Sequence, residues 1–111
     1  MSVWESRYGF RRAIRTGDRV ISAGTLAPGD TVRDQARNAF RIALDAMAAE
    51  GASVPDVVRT RMYITDRAFA DEVGQVHHEL FEAVRPVATM VVVAGLVDEA
   101  ALVEVELEAQ L

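Results

Sequence analysis

Residues 87–94, which read VATMVVVA, contain no charged side chain and follow directly on Arg85-Pro86. Successive side chains of a strand point to opposite faces of its sheet, and here both alternating sets are apolar or nearly so. Strands of this kind are typically buried on both faces. In a chain of 111 residues, helices can cover only one face of the sheet. The segment therefore predicts that another copy of the chain covers the second face, with binding sites in clefts between subunits.

The segments before it alternate between strand and helix patterns. Turn residues 16–18 separate two β-rich runs, residues 8–15 and 19–24, which indicates a hairpin. Apolar residues at helical spacing predict a helix over residues 31–50 and a second over residues 66–84, which Pro86 ends.

Two further strands complete the predicted fold, over residues 57–65 and 102–109. The resulting order is β-β-α-β-α-β-β. We therefore predict an α+β fold in a single domain spanning residues 1–111, with the two helices on one face of a mixed sheet.

The last strand alternates between valine or leucine and glutamate. If its apolar set meets the helices, three glutamates share the far face, where like charges two residues apart repel one another. Neighbouring arginines would relieve this repulsion. The glutamates are Glu104, Glu106 and Glu108, and the candidate partners are Arg59 and Arg61.

Composition excludes several classes of function. The chain has no cysteine, so disulfides and thiolate chemistry are excluded. Its net charge of −5 argues against a general nucleic-acid binder. No apolar run approaches the roughly 20 residues of a membrane helix, and no signal peptide is visible at the N-terminus. We therefore expect a cytoplasmic protein that contacts neither membrane nor nucleic acid.

Three stretches, YGFRRAIRTGDRVISAGTLA, VVRTRMYITD and RPVATMVVVAGLVDEAALVEVELEA, resemble the YjgF/RidA family, also called the L-PSP endoribonuclease family. The resemblance covers roughly residues 8–110. It implies a chorismate-mutase-like fold, a homotrimer and a small-molecule cleft at each subunit interface. It also implies hydrolysis of reactive enamines or imines. We expect neither a cofactor nor a metal.

The resemblance assigns roles to single positions. The family's glutamate on the last strand matches Glu106, the predicted catalytic residue, and its glycine at the end of the second strand matches Gly24. The first-strand tyrosine falls on Phe10, which lacks the hydroxyl. The carboxylate-binding arginine falls on Ala88, which cannot form a bidentate pair with a carboxylate. Imines derived from amino acids are therefore expected to be poor substrates.

Other ligand-binding candidates are Thr25, Thr89 and Arg85. The two threonines could instead be plain packing residues, and Arg85 could simply end the second helix, where a cation suits the carbonyl groups. Likewise, Glu106 could serve only as a partner of the arginines, and Phe10 could be a core residue.

The pair His77-His78 does not predict a metal site, because adjacent helical residues point about 100° apart. We expect both histidines to be exposed. Three functions remain open: an imine hydrolase, a trimer that binds a small metabolite without catalysis, and, least favoured, a ribonuclease.

Overall fold

A computed structural model describes residues 3–111 and contains one five-stranded mixed sheet. Its strand order is β1-β2-β5-β3-β4, in which β3 and β4 are parallel and the other neighbours are antiparallel. The α+β fold and the mixed sheet are as predicted. The strands are β1 (Ala13–Thr16), β2 (Arg19–Ser22), β3 (Val57–Ile64), β4 (Val87–Val92) and β5 (Val103–Gln110). The helices are α1 (Val3–Tyr8), α2 (Val32–Ala49) and α3 (Ala70–Phe81).

Helix α2 agrees closely with its prediction. The side chain of Thr31 caps its first turn by accepting a hydrogen bond of 3.1 Å from the backbone N–H of Asp34. Most of its apolar stripe is buried, including Phe40 and Met47, and Leu44 is partly buried. The chain then turns away at Gly51, whose φ of 97° favours glycine.

Helix α3 is shorter than predicted at both ends. Asp66 accepts a hydrogen bond of 2.8 Å from the N–H of Ala68, but this cap begins a 3₁₀ turn, Arg67–Phe69. The helix ends at Phe81, and the chain reverses at Arg85, which has a φ of 56°. The N–H of Arg85 donates to the carbonyl of Phe81 at 2.8 Å. This left-handed residue, placed directly before Pro86, separates α3 from β4.

The predicted strand over residues 8–15 is wrong in its first half. Helix α1 occupies residues up to Tyr8, and β1 begins only at Ala13. The N–H groups of Gly9 and Phe10 both donate to the carbonyl of Glu5, at 2.9 and 3.1 Å, which closes the helix. Gly9 has a φ of 75°, so the chain turns sharply there before it enters the sheet.

The core lies between one face of the sheet and helices α2 and α3. Val103, Val105 and Leu107 of β5 are at most 1% exposed, as the alternation of the last strand predicts. The alternate side chains of β5, among them Glu104 and Glu106, therefore lie on the far face of the sheet.

Strand β4 is an edge strand that pairs only with β3. In the single chain its side chains are largely exposed on both faces, whereas the prediction had helices covering one face and a second copy covering the other. Val87, Val91 and Val92 are 59%, 42% and 50% exposed. The covering of this strand by a second copy stays a prediction.

Candidate functional site

The far face of the sheet carries a ladder of opposite charges. Glu108 lies 3.0 Å from Arg19, 3.6 Å from Arg59 and 3.4 Å from Arg61. This pairing of the β5 glutamates with Arg59 and Arg61 was expected from the sequence. The ladder fixes the side chains in the middle of this face and leaves the end of β5 nearest Val103 outside it.

Glu106, the predicted catalytic residue, belongs to this ladder. The hydroxyl of Tyr63 donates to Oε1 of Glu106 at 2.5 Å, and Nη1 of Arg61 lies 3.7 Å from the same oxygen. This hydrogen bond is the main cause that raises the pKa of Tyr63. Glu106 does not line the apolar cavity described next, so the structure places it as a paired residue of the sheet.

An apolar cavity of about 310 Å³ lies beside Glu104, two residues earlier on the same strand. We call it the aromatic pocket. Of the predicted site residues, it brings together Phe10 and Gly24. Its lining residues are Trp4, Tyr8, Phe10, Arg12, Gly24, Leu26, Val97, Asp98 and Glu104.

Helix α1 supplies one wall of the aromatic pocket. Trp4 and Tyr8 are four residues apart, so they lie on the same side of the helix. Their rings stack with centroids 5.4 Å apart and planes 19° apart. Neither residue was predicted from the sequence, although a spacing of four residues is typical of an aromatic pair on a helix.

Arg12 joins this wall to the sheet. Its Nη1 donates to the carbonyl of Gly24 at 2.7 Å and to Oγ1 of Thr25 at 3.2 Å, while Nε donates to Glu5 of α1 at 3.3 Å. The guanidinium also lies over the ring of Phe10, 5.2 Å from its centroid. Arg12 therefore holds α1, Phe10 and the end of β2 in one fixed arrangement.

Glu104 is the carboxylate that β5 contributes to the aromatic pocket. Burial raises its pKa, the nearby charge of Glu106 raises it further, and Arg12 opposes both effects. Gly24 faces it across the pocket wall: a Cβ atom on Gly24 would lie 2.8 Å from Oε2 of Glu104. The carboxylate of Glu104 can therefore occupy this position because Gly24 has no side chain.

Thr25 is buried below the pocket rather than open to it. Its N–H donates to the carbonyl of Val105 at 2.8 Å, and the N–H of Val105 donates back to Thr25 at 2.9 Å. Its hydroxyl donates to the carbonyl of Ala23 at 2.9 Å. These bonds attach the loop after β2 to β5 and so set the distance between Gly24 and Glu104.

The three remaining candidates do not line the aromatic pocket of the same chain. Ala88 and Thr89 lie on β4, beside Thr60 and Arg61 of β3. Arg85 lines a separate cavity of about 330 Å³ at the end of α3. Within one chain, therefore, the predicted residues that line the pocket are Phe10, which precedes β1, and Gly24, which follows β2.

His77 is partly buried, contrary to the prediction of an exposed pair. Its ring packs against Phe81 at a centroid distance of 4.8 Å, and Nε2 forms a hydrogen bond of 2.8 Å with Oγ1 of Thr60. Burial lowers the pKa of His77, and the adjacent His78 lowers it further. His78 itself is exposed, 3.3 Å from Glu82. His77 faces the core because α3 turns that side of the helix toward α2.

Two kinds of feature are missing from residues 3–111. No three histidine, aspartate or glutamate side chains there are grouped as metal ligands. No helix in that range is long and apolar enough to cross a membrane.

Fold and pocket together define a small α+β protein with a charge-paired sheet face and an aromatic, carboxylate-bearing cavity at one end of it. Residues 4–111 match the model of the family described as endoribonuclease L-PSP. The chain belongs to this family, which is the YjgF/RidA family of the sequence resemblance.

Relatives of known sequence or structure agree with this assignment. An uncharacterized protein of Streptomyces coelicolor is 44% identical over 115 residues, covering 97% of this chain and 86% of the relative. The crystal structure of Rv2704 from Mycobacterium tuberculosis, described as a YjgF/YER057c/UK114 family member, has a TM-score of 0.97 at 44% identity, covering 99% and 93% of the two chains.

A more distant structure shares the fold. The crystal structure of Escherichia coli TdcF with bound serine has a TM-score of 0.82 at 24% identity. The similarity covers 92% of this chain and 87% of TdcF.

Proposed function

We propose that this protein hydrolyses small imines in the aromatic pocket, and that Glu104 carries the protons of the reaction. One observation carries the proposal: a half-buried carboxylate with a raised pKa lies inside an apolar cavity of about 310 Å³. A cavity of this size suits a small molecule. A carboxyl group whose pKa is raised toward neutrality is suited to both accepting and donating a proton.

The reaction needs only water and one group that moves protons. Water attacks the carbon of a protonated imine, RCH=NH₂⁺, while the carboxylate of Glu104 accepts a proton from that water. A C–O bond forms, and the π electrons of the C=N bond move to nitrogen. Glu104 then returns the proton to nitrogen, the C–N bond breaks, and the hydroxyl proton leaves with the amine. The products are RCHO and NH₄⁺, so atoms and charge balance.

The choice of Glu104 rather than Glu106 follows from their surroundings. Glu106 is already the acceptor of the Tyr63 hydroxyl and a neighbour of Arg61. Both interactions hold the carboxylate of Glu106 in place on the sheet. Glu104 lines the cavity, and the absence of a side chain at Gly24 leaves room there for its carboxylate.

We also propose that the protein is a homotrimer in which copies complete each other's clefts. Exposed valines on β4 support this, since an edge strand with apolar side chains is a favourable surface for association. The family resemblance implies the same state. In such an assembly Ala88 and Thr89 of β4 would approach the pocket of a neighbouring copy.

Non-catalytic binding of a small metabolite is the second candidate function. The observation that favours it is Ala88, which stands where the family pattern has a carboxylate-binding arginine. Serine, the molecule bound to TdcF, carries such a carboxylate. We do not propose RNA cleavage, because Glu104 and Asp98 in the pocket would repel phosphate groups.

Ammonia release separates these functions. Imines are generated in place by an amino-acid oxidase, which yields products with a carboxylate, or by a flavin amine oxidase, which yields products without one. We expect the protein to accelerate ammonia release at least about tenfold over spontaneous hydrolysis of an imine. If the protein accelerates ammonia release from neither series and yet binds an amine saturably, hydrolysis is contradicted and non-catalytic binding is supported.

A further inference from the structure

The charges around the aromatic pocket leave an excess of negative charge. Its charged lining residues are Arg12, Glu104 and Asp98. Arg12 is paired with the buried Glu5 at 3.3 Å, and its Nη1 donates to Gly24 and Thr25. The positive charge of Arg12 is therefore shared with Glu5, and the two carboxylates of Glu104 and Asp98 outnumber it. A ligand in the cavity would face the carboxylates of Glu104 and Asp98.

The aromatic lining favours a cation in a second way. The faces of Trp, Tyr and Phe rings attract cations through their quadrupoles. Two guanidinium groups already use this attraction here: Arg12 lies 5.2 Å from the centroid of Phe10, and Arg7 lies 5.4 Å from that of Tyr8. An organic cation would meet the same type of surface inside the cavity.

Among residues 3–111, no other basic side chain lines the aromatic pocket. Arg85 lines the separate cavity at the end of α3, and position 88 holds alanine. A carboxylate ligand would thus lose its hydration shell without gaining a bidentate partner from this chain. The excess of negative charge, the aromatic rings and the absence of an arginine at position 88 all favour a cation over a carboxylate.

We infer that the aromatic pocket selects small apolar monocations, amines or protonated imines that carry no carboxylate. The inference names the substrate class of the proposed hydrolase and rests on the same site. Such a pocket differs from one that binds amino-acid derivatives, because it recognises the nitrogen cation of the ligand rather than a carboxylate. Glu104 and the aromatic wall bind the ligand, and Arg12 positions that wall.

Three probes of similar shape test the inference: benzylamine, benzyl alcohol and benzoate, at neutral pH. Trp4 is the single tryptophan of the chain and lines the pocket, so its fluorescence reports occupancy. We expect benzylamine to bind at least about tenfold more tightly than benzoate, with the alcohol between them. In Glu104→Gln the amine should lose most of its advantage over the alcohol.

Glu72→Gln is the matched control, since it removes the same charge from an exposed position on α3. It should leave all three affinities within about twofold of the parent. Tightest binding of benzoate, equal affinities for amine and alcohol, or no saturable binding of any probe would each overturn the inference. Binding of these probes requires no turnover, so a failure of the hydrolysis proposal would leave this result readable, and the reverse also holds.

Discussion

Gly24 leaves the space that the carboxylate of Glu104 occupies, since a Cβ atom at position 24 would lie 2.8 Å from Oε2. The obstacle is the end of a flexible side chain, so a larger residue would displace the carboxylate rather than disrupt the backbone. A substitution at Gly24 therefore offers a way to displace the carboxylate of Glu104 without changing residue 104 itself.

We predict that Gly24→Ala lowers ammonia release about tenfold or more, because a displaced proton-transfer group loses its geometry. The free energy of unfolding should change by less than about 1 kcal/mol. Gly95→Ala is the control, since a Cβ there meets no atom within 4 Å. Equal rates for the two variants in a steady-state assay would contradict this role of Gly24.

The raised pKa of Glu104 predicts a pH dependence of stability. Burial and the charge of Glu106 make the folded protein hold this proton more tightly than the unfolded chain, and Arg12 opposes them. The stabilisation is complete below the ordinary value of 4.5 and is lost as pH rises through the folded pKa.

Glu104→Gln removes this dependence. Its stability relative to the parent should therefore increase from pH 4.5 toward neutral pH, as measured by urea unfolding at fixed protein concentration. Glu72→Gln should show a smaller change. A relative stability of Glu104→Gln that falls over this range would mean that the direction is wrong.

The backbone conformation of Arg85 predicts an effect on stability that is independent of its charge. Its φ of 56° is left-handed, and such a conformation costs a side-chain-bearing residue about 1 kcal/mol or more relative to glycine. Arg85→Gly and Arg85→Ala both remove the guanidinium, but only glycine relieves the backbone. We expect the glycine variant to be the more stable of the two by about 0.5–1 kcal/mol in denaturant unfolding. An alanine variant of equal stability would argue against strain at this turn.

Assembly through β4 is tested by placing a charge on it. Val91 is 42% exposed in the single chain and would be buried in the proposed trimer. We predict that Val91→Glu converts the trimer to smaller species in sedimentation or light scattering, because it would bury an unpaired charge. Ile42→Glu on α2, exposed to a similar degree at 39%, should leave the mass unchanged. A trimeric Val91→Glu protein, or a monomeric parent, would contradict the proposed interface.

The regular parts of the fold could be predicted because their patterns are local. Thr31, the helical stripe and Gly51 define α2 within a few residues, and the alternation of β5 defines both its faces. Pairing of the glutamates with Arg59 and Arg61 followed from that alternation and from charge. Each of these depends on spacing within one segment or on two neighbouring strands.

The site depended on tertiary position, which spacing does not supply. Glu104 and Glu106 share one face of β5, roughly 7 Å apart. Only the position of Gly24 and α1 distinguishes the pocket carboxylate from the paired one. Helix α1 has six residues, too few for a clear periodic pattern, so Trp4 and Tyr8 were missed. The burial of His77 likewise depends on the packing of α3 against Phe40 and not on the sequence around it.

The comparison of Glu104→Gln with Glu106→Gln tests most directly whether the aromatic pocket is the functional site. Both variants remove one carboxylate from the same face of the same strand, and imine hydrolysis is followed by ammonia release under identical conditions. We predict that Glu104→Gln lowers the rate about 100-fold, whereas Glu106→Gln remains within about threefold of the parent. Full activity of Glu104→Gln, or loss of activity in Glu106→Gln alone, would contradict this account.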